Sequence, residues 1–263
     1  MSSIKGLNST LNINTQNIES SFKKLSSGKR INSAADDPAG LAVAEKLLSE
    51  AKLYEQASQN AGYSQLAGNI AQGALSQVSD ITTRMSELAT QAANGTLSDD
   101  QRSSLNNEYQ SLRQEIDRIS ATTEFNGVQV LSGESQVSQV GIDSSGNSQI
   151  SSPSVSLSTS GVAAGIGTID QARAAIESVK TLTQNVTDTA GQIGAYTNRL
   201  AISEQNNLVA KENVLAAESR IRDVDYAAEV ANYTKAAVLQ KANQAMSAQA
   251  NKLSADTVMK LLS

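Results

Sequence analysis

Apolar residues recur at helical spacing at both ends of the chain. In the first 31 residues four of them stand seven apart, and two more widen the stripe: Ile4, Leu11, Ile18 and Leu25, with Leu7 and Phe22. Near the other end they advance by threes and fours before a final apolar group: Leu239, Ala242, Met246, Ala250, Leu253, Val258, Leu261 and Leu262. Such stripes predict two amphipathic helices. Because Ser and Asn flank the first stripe, its helix is marginal alone, and we expect both ends to serve in assembly.

The composition removes several classes of chemistry. The chain has no Cys, no His and no Trp, and its aromatic content is 3%. This excludes disulfides, zinc sites of the usual Cys/His type and catalytic groups built on His or Cys. So few aromatic residues favour thin helical packing with small residues at the contacts. The net charge of −5 argues against nucleic acid as a partner.

The segment 42–93 has the periodicity of one long helix. Asp37 and Pro38 form a start signal, with Asp as the N-cap and Pro at the first helical position. Its stripe is Leu66, Ile70, Ala74, Val78, Ile81, Met85, Leu88 and Ala92. Three glycines, at 62, 68 and 73, predict a break or loose segment near 55–65. Gly95 is expected to end the helix in a left-handed conformation. The charge-free run 56–79 is too polar for a membrane span.

Two capping boxes predict two further helices. Ser98 with Gln101 begins one that runs to about residue 121, and Thr168 with Gln171 begins one that runs to about 218. The apolar stripe of the first is Leu105, Tyr109, Leu112, Ile116 and Ile119, and that of the second is Ala172, Ile176, Val179, Val186, Ala190, Ile193 and Leu200.

Between these helices the pattern changes to short strands. Asn126-Gly127 predicts a tight turn after Phe125. Alternation at Val140/Ile142 and Val155/Leu157, on either side of 143–147, suggests a hairpin in a Ser- and Gly-rich segment that forms a small β-cap or a flexible loop. The predicted fold class is mainly α: an elongated helical rod with terminal coiled-coil helices and a small β-hairpin element.

Motifs that carry chemistry are mostly rejected. The segment 143–154 begins like a calcium loop, but Ser154 stands where a bidentate Glu is needed. The acid pairs Asp36-Asp37 and Asp99-Asp100 sit at helix starts, where carboxylates cap free N–H groups. We therefore predict no metal, no cofactor and no catalytic residue. A Ser-Lys hydrolase remains as an alternative, on Ser-x-x-Lys at 20–23, 21–24, 26–29 and 49–52.

Four stretches resemble bacterial flagellin. They are Leu25-Ser-Ser-Gly-Lys-Arg-Ile-Asn-Ser-Ala-Ala-Asp-Asp-Pro-Ala-Gly40, Phe125-Asn-Gly-Val-Gln-Val-Leu131, Ser219-Arg-Ile-Arg-Asp-Val-Asp-Tyr-Ala-Ala-Glu229 and the tail from Leu239 to Ser263. Arg222 departs from the family pattern, in which an acid or Gln is usual. The resemblance covers most of 1–135 and 170–263, and this chain looks like a short flagellin with almost no outer insertion.

The resemblance implies a structural subunit that polymerises into the helical filament of the bacterial flagellum for swimming motility. It implies an inner coiled-coil domain, 1–40 plus 221–263, and a rod domain, 41–220, with a β-element at about 122–168. The residues expected in subunit assembly are Ile4, Leu7, Leu11, Ile18, Leu25, Leu239, Met246, Leu253, Val258, Leu261 and Leu262. A non-closing repeated contact of this kind gives a helical polymer.

The resemblance also implies partners and a location. The partners are further copies of the chain, an export chaperone that holds the C-terminal helix, the hook-associated junction and cap proteins, and the flagellin-sensing Toll-like receptor of animals. Receptor recognition is expected at Arg84, Leu88, Gln91 and Glu108. Export through the flagellar apparatus without a cleavable signal peptide places the product in the extracellular filament, with no membrane partner. A hook–filament junction protein, which resembles flagellin at both ends, is the alternative within the same system.

Overall fold

Within the residues that it describes, the protein is built from five α-helices and four short strands. The structure is a computed structural model that describes residues 2–262, with side chains described at 6, 9–253 and 255. The helices are α1 (Ser2–Ser27), α2 (Pro38–Ala92), α3 (Asp99–Thr122), α4 (Ile169–Arg222) and α5 (Tyr226–Leu262). The strands are β1 (Glu124–Phe125), β2 (Val128–Gln129), β3 (Val137–Gln139) and β4 (Gln149–Ser151). The predicted fold class, mainly α with a small β-element, is confirmed.

The chain forms two compact units. Residues Met1–Ala51 and Glu212–Ser263 make one, called the terminal unit, and Lys52–Lys211 make the other, called the central unit. The terminal unit therefore combines the two ends of the chain. In the described part of the chain, no helix is both long enough and apolar enough to cross a lipid bilayer.

The helix starts follow the local signals in the sequence. α2 begins at Pro38, and the Asp37 carboxylate accepts a hydrogen bond of 2.9 Å from the backbone N–H of Gly40. Ser98 and Gln101 form a reciprocal capping box at the start of α3. Thr168 and Gln171 do the same before α4, with both bonds at 3.2 Å. All three predicted start signals are confirmed, because each satisfies N–H groups that the helix itself leaves free.

The predicted break in α2 is wrong, since the helix runs without interruption from Pro38 to Ala92. Gly68 lies against α4, where an added Cβ would be 2.5 Å from the Thr197 methyl carbon. The loss of about 1 kcal/mol that a glycine costs in a helix is therefore outweighed by close packing of the two helices.

The predicted glycine end of α2 is also wrong, because Gly95 does not have a positive φ. The end is capped instead by the guanidinium of Arg102, which is 4% exposed. It donates hydrogen bonds to the carbonyls of Ala92, Asn94 and Leu97. The buried guanidinium thus donates hydrogen bonds to carbonyl groups that have no partner within the helix.

The central unit has an apolar core between α2, α3 and α4. Its fully buried side chains include Leu75, Val78, Met85 and Leu88 on α2, Tyr109 and Ile116 on α3, and Val179, Val186 and Leu200 on α4. The predicted stripes of α3 and α4 are confirmed. The predicted stripe of α2 is wrong at Leu66 and Ile70, which are 52% and 40% exposed, because here the helix buries Ala61 and Ala71 instead.

Two hairpins lie between α3 and α4. Asn126 and Gly127 have φ values of 52° and 78°, which a two-residue turn between β1 and β2 requires, and the predicted turn is confirmed. The second hairpin, β3 with β4, also exists, but its strands were predicted in the wrong place. Val140, Val155 and Leu157 are buried outside regular strands, so their alternation reflected burial rather than strand pairing.

Candidate functional site

Helices α1 and α5, in the terminal unit, bury few of their described side chains fully, and those few are small or polar. Among the described side chains, α1 buries Ser21, and α5 buries Glu229 and Ala236. The Gln240 side-chain amide donates a hydrogen bond of 3.1 Å to the Thr15 hydroxyl. The fully buried positions of the two helices are therefore few and are small or polar, while Leu11, Ile18 and Leu25 are only partly covered and the larger apolar side chains of α5 stay exposed.

The predicted assembly residues fall into two groups. Leu11, Ile18 and Leu25 on α1 are partly buried. Those on α5 are much more open, with Leu239, Met246 and Leu253 being 43%, 60% and 58% exposed. The side chains of Ile4, Leu7, Val258, Leu261 and Leu262 lie outside the described residues.

The terminal unit also exposes several apolar residues that were not among the predicted assembly residues. On α1 they are Ile13 and Phe22, at 52% and 61% exposed, although Phe22 had been placed at the edge of the stripe. On α5 they are Tyr226, Val230 and Val238, at 54%, 49% and 60%. The sequence did contain a signal for this arrangement. Glu229, Ala236 and Asn243 are spaced by seven residues. This heptad spacing of small and polar residues predicts that the inner face of α5 is not an apolar stripe.

The segments that lead into and out of these helices are tied together. The backbone N–H of Arg30 donates to the carbonyl of Arg222 at 2.6 Å, and that of Val224 donates to the carbonyl of Gly28 at 3.0 Å. The Tyr226 hydroxyl donates to the carbonyl of Leu25 at 2.6 Å. The ends of α1 and α4 and the start of α5 are therefore joined by hydrogen bonds, two between backbone groups and one from the Tyr226 hydroxyl.

Arg222, the residue that differs from the flagellin pattern, forms ion pairs. Its guanidinium lies 2.9 Å from a carboxylate oxygen of Glu45 and 3.8 Å from one of Glu218. Glu45 is on α2, so the pair adds a charged contact within the terminal unit. The Arg222 side chain is 13% exposed, which shields the pair with Glu45 partly from solvent.

The residues expected to meet a receptor lie in the central unit, and three of the four are on its surface. Arg84 donates to Glu108 at 2.9 Å and to Glu87 at 3.1 Å, and these carboxylates raise the pKa of the Arg84 guanidinium. Gln91 is exposed beside them. Leu88 is different, because it is 0% exposed and belongs to the apolar core. Unlike the other three expected recognition residues, Leu88 is therefore not accessible at the surface of the monomer.

Comparison with known proteins decides the family. Residues 3–136 match the bacterial flagellin N-terminal helical region, and residues 166–262 match the bacterial flagellin C-terminal helical region. The two matches together span most of the chain. The chain belongs to the bacterial flagellin family.

Flagellins and filament proteins of several bacteria are similar to the chain over nearly its whole length. The flagellin of Halalkalibacterium halodurans is 39% identical over 246 residues, which cover 92% of this chain and 90% of that protein. The flagellin of Bacillus subtilis is 36% identical, with 92% and 91% covered. The flagellar filament 30.7 kDa core protein of Treponema maltophilum is 33% identical, with 97% and 96% covered.

Solved structures agree with this assignment at the level of the fold. The crystal structure of Bacillus cereus flagellin superposes with a TM-score of 0.52 and 28% identity, over 57% of this chain and 88% of that one. A putative flagellar hook-associated protein from Vibrio parahaemolyticus gives a TM-score of 0.61 over 72% of this chain and 100% of that one. Its identity is 17%, so this second likeness shows a shared fold alone.

The chain is therefore a structural subunit of the bacterial flagellar filament, and it polymerises with copies of itself. Flagellin and filament core proteins are its relatives across the whole alignment, which favours neither the junction protein nor the hydrolase. Its place is the extracellular filament, and motility is the function that such a filament serves.

Proposed function

We propose that the terminal unit is the assembly module of this flagellin and that its exposed apolar residues bind neighbouring copies in the filament. The observation that carries the proposal is the arrangement of α1 and α5. Few of their described side chains are fully buried within the monomer, while Phe22, Met246 and Leu253 are each more than half exposed. Isolated apolar residues are common on surfaces, but a concentration of large ones along two helices of one unit is typical of an interface.

The expected gain on assembly is large enough to drive it. Full burial of a Leu, Phe or Met side chain contributes about 1.5–3 kcal/mol. Association also costs translational freedom and side-chain order, so several such residues have to be buried together. These contacts would then be made by the predicted inner domain, 1–40 plus 221–263, and not by the predicted rod domain, 41–220.

The test is a charge placed in the exposed stripe of α5. Met246→Lys should abolish or strongly weaken polymerisation, because a lysine in a buried apolar contact loses its hydration without gaining a partner. Gln244→Lys is the matched control, since it adds the same charge to an exposed polar position of the same helix. Sedimentation and electron microscopy of the polymerised protein measure the effect.

Two results would contradict the proposal. One is normal filament yield from Met246→Lys. The other is an equal loss in Gln244→Lys, which would mean that added charge alone, and not the apolar contact, decides assembly. Far-ultraviolet circular dichroism of both monomers checks that the helices are retained.

We propose further partners on the family resemblance. An export chaperone would cover α5 before assembly, because its exposed Leu239, Met246 and Leu253 need protection in the cell. The junction and cap proteins would use the same helices at the two filament ends. Copurification of a helper protein with the wild-type chain, lost on Met246→Lys, tests the first partner. The intact mass of protein recovered from filaments shows whether export removes an N-terminal segment.

We also propose that the flagellin-sensing Toll-like receptor recognises Arg84, Gln91 and Glu108. These side chains are exposed and the first and last are ion-paired, so they form a polar surface at which a partner can exchange charges. Leu88 would contribute only by packing beneath them. The receptor should bind the monomer and not the filament, if neighbouring subunits cover this surface.

Receptor activation by variants tests this second proposal. Arg84→Ala, Gln91→Ala and Glu108→Ala should each weaken activation while the monomer remains folded. Arg118→Ala is the control, because it also removes an exposed ion pair, with Glu115 at 2.5 Å. Activation by the triple variant at wild-type concentration would overturn the assignment.

Catalysis has no part in the proposed function. Ser21 and Lys24, one of the Ser-x-x-Lys pairs, line a polar groove with Glu229 and Lys235. In the described part of the chain no hydrogen bond joins the Ser21 hydroxyl to an amine that could activate it. A serine-directed covalent probe should accordingly leave the mass of the native protein unchanged.

A further inference from the structure

A small cavity, open on one side to solvent, lies in the central unit between α2, α4 and the segments around the hairpins. Its volume is about 80 Å³. The α2 wall is Ala67, Gly68 and Ala71, which carry no side chain beyond Cβ, and α4 contributes Ile193 and Tyr196. The lining is therefore mainly apolar, and the space exists because three positions on one face of α2 hold very small residues.

One wall of the cavity carries a directed chain of hydroxyl groups. The Ser64 hydroxyl donates to the carbonyl of Asn60 at 3.0 Å. It also lies 2.6 Å from the Ser138 hydroxyl, which in turn lies 3.0 Å from that of Tyr196. A hydroxyl has one proton to donate, so Ser138 must donate to Ser64 and Tyr196 must donate to Ser138. The chain ends on the Tyr196 hydroxyl, whose O–H is engaged with Ser138 and whose oxygen keeps lone pairs with which to accept.

The Tyr196 oxygen can therefore accept a hydrogen bond but cannot donate another. The Tyr196 side chain as a whole is 7% exposed. The structure gives no donor for this oxygen among the described residues. A buried hydroxyl of this kind favours a molecule that brings its own O–H or N–H group.

Size limits the molecule. An engineered apolar cavity of about 150 Å³ binds benzene, so a cavity of about 80 Å³ is suited to a molecule of a few heavy atoms. Access is available, since a surface groove of about 440 Å³ shares Ser64, Ala67, Val130, Gln136 and Ser138 with the cavity lining.

We propose that this cavity binds a short-chain alcohol, with the alkyl group against Ala71 and Ile193 and the hydroxyl donating to Tyr196. No covalent step is involved. Binding would stabilise the central unit by an amount that rises with the logarithm of the free ligand concentration above Kd, because the unfolded chain has no such cavity.

The test compares 2-propanol with acetone, which has the same heavy atoms but no O–H donor. Methyl groups of alanine and isoleucine are labelled in the full-length monomer, and their chemical shifts are followed by NMR during titration. Saturable shifts at Ala71 and Ile193 are expected with 2-propanol. Acetone should bind about five-fold more weakly, which corresponds to the loss of one ordinary hydrogen bond.

Variants separate the cavity from general solvent effects. Ala71→Leu, or Ala67→Val if the first variant does not fold, should fill the space and remove the saturable shifts. Ala121→Leu is the control, because Ala121 is an exposed alanine of α3 and the cavity is unaffected. Tyr196→Phe should bring the two ligands towards equal affinity. Equal binding of 2-propanol and acetone to the wild type, or saturable binding retained by the filled variant, would overturn the proposal.

Discussion

Helices α1 and α3 have nearly the same length, 26 and 24 residues, but opposite relations to their own units. α3 buries Arg102, Tyr109, Ile116 and Ile119 within the central unit. Among its described side chains α1 buries only Ser21. An amphipathic pattern therefore does not by itself state where its apolar face will be covered. In α3 the covering surface belongs to the same chain, and in α1 we assign it to other copies.

The two units differ in the same way as these helices. The buried apolar side chains of the terminal unit, within the described residues, are Ile31, Ala44, Ala51 and Ala236. The central unit buries many larger ones, in one large cluster and one small one. Because burial of apolar surface is the main favourable contribution to folding, the central unit should be stable alone and the terminal unit should depend on assembly.

The largest expected effect breaks assembly while sparing the central unit. Deletion of 239–263 should abolish polymerisation, since it removes most of the exposed stripe of α5. The unfolding transition of the central unit should not change, because that unit ends at Lys211. Electron microscopy measures the first outcome and thermal circular dichroism the second. Filaments of normal stability from the shortened chain would mean that α5 is not needed.

A pair of truncations to alanine compares the two units in stability. Met85→Ala should lower the free energy of unfolding of the monomer by about 2–5 kcal/mol, because Met85 is 0% exposed and leaves a cavity. Leu253→Ala should change it by less than about 0.5 kcal/mol, since Leu253 is 58% exposed. Urea denaturation gives both values. Similar values for the two variants would refute the contrast drawn here.

A backbone substitution tests the first hairpin of the central unit. Gly127→Ala should cost about 1–2 kcal/mol, because the φ of 78° places a side chain against its own backbone. An added Cβ meets no neighbouring atom, so the cost comes from backbone strain alone. Gly146→Ala is the control at a glycine that is also open but lacks a positive φ. Equal stability loss in the two variants would show that strain is not the cause.

The smallest expected effect is a pH dependence that both units share. Hydrogen bonds from the backbone N–H groups of Asn32 and Ser33 lower the pKa of Asp36 in the terminal unit. Hydrogen bonds from Ser145 and Ser148 lower the pKa of Asp143 in the central unit. Because the pKa of each carboxyl is lower in the folded than in the unfolded chain, its ionised form stabilises the folded state. This stabilisation is fully present above the unfolded pKa of about 3.9 and is lost as pH falls through the folded pKa.

NMR titration of the two carboxylates checks this prediction. Both midpoints should lie below those of the same residues in the denatured chain. Asp36→Asn and Asp143→Asn should each remove part of the acid sensitivity of its own unit. An unshifted midpoint would show that the turn is not held by its carboxylate under these conditions.

Local signals in the sequence were sufficient for much of the fold. The start of α2 at Pro38, both capping boxes and the Asn126-Gly127 turn depend on contacts within a few residues, so the residues that make them are adjacent in the sequence. The apolar periods of α3 and α4 were also readable, because bulky residues mark the buried face. The family followed from motifs in order along the chain.

Tertiary structure decided what depends on distant partners. α2 remains continuous because Gly68 packs against α4, and Arg102 ends it by reaching carbonyl groups up to ten residues earlier. Alanines, which carry a weak periodic signal, form the buried face of α2 near Ala61, so Leu66 was assigned to the wrong side. Leu88 lies in the core although its neighbour Arg84 is at the surface. In each case the deciding contact depends on how elements pack against one another, and no local pattern records which surface a side chain will cover.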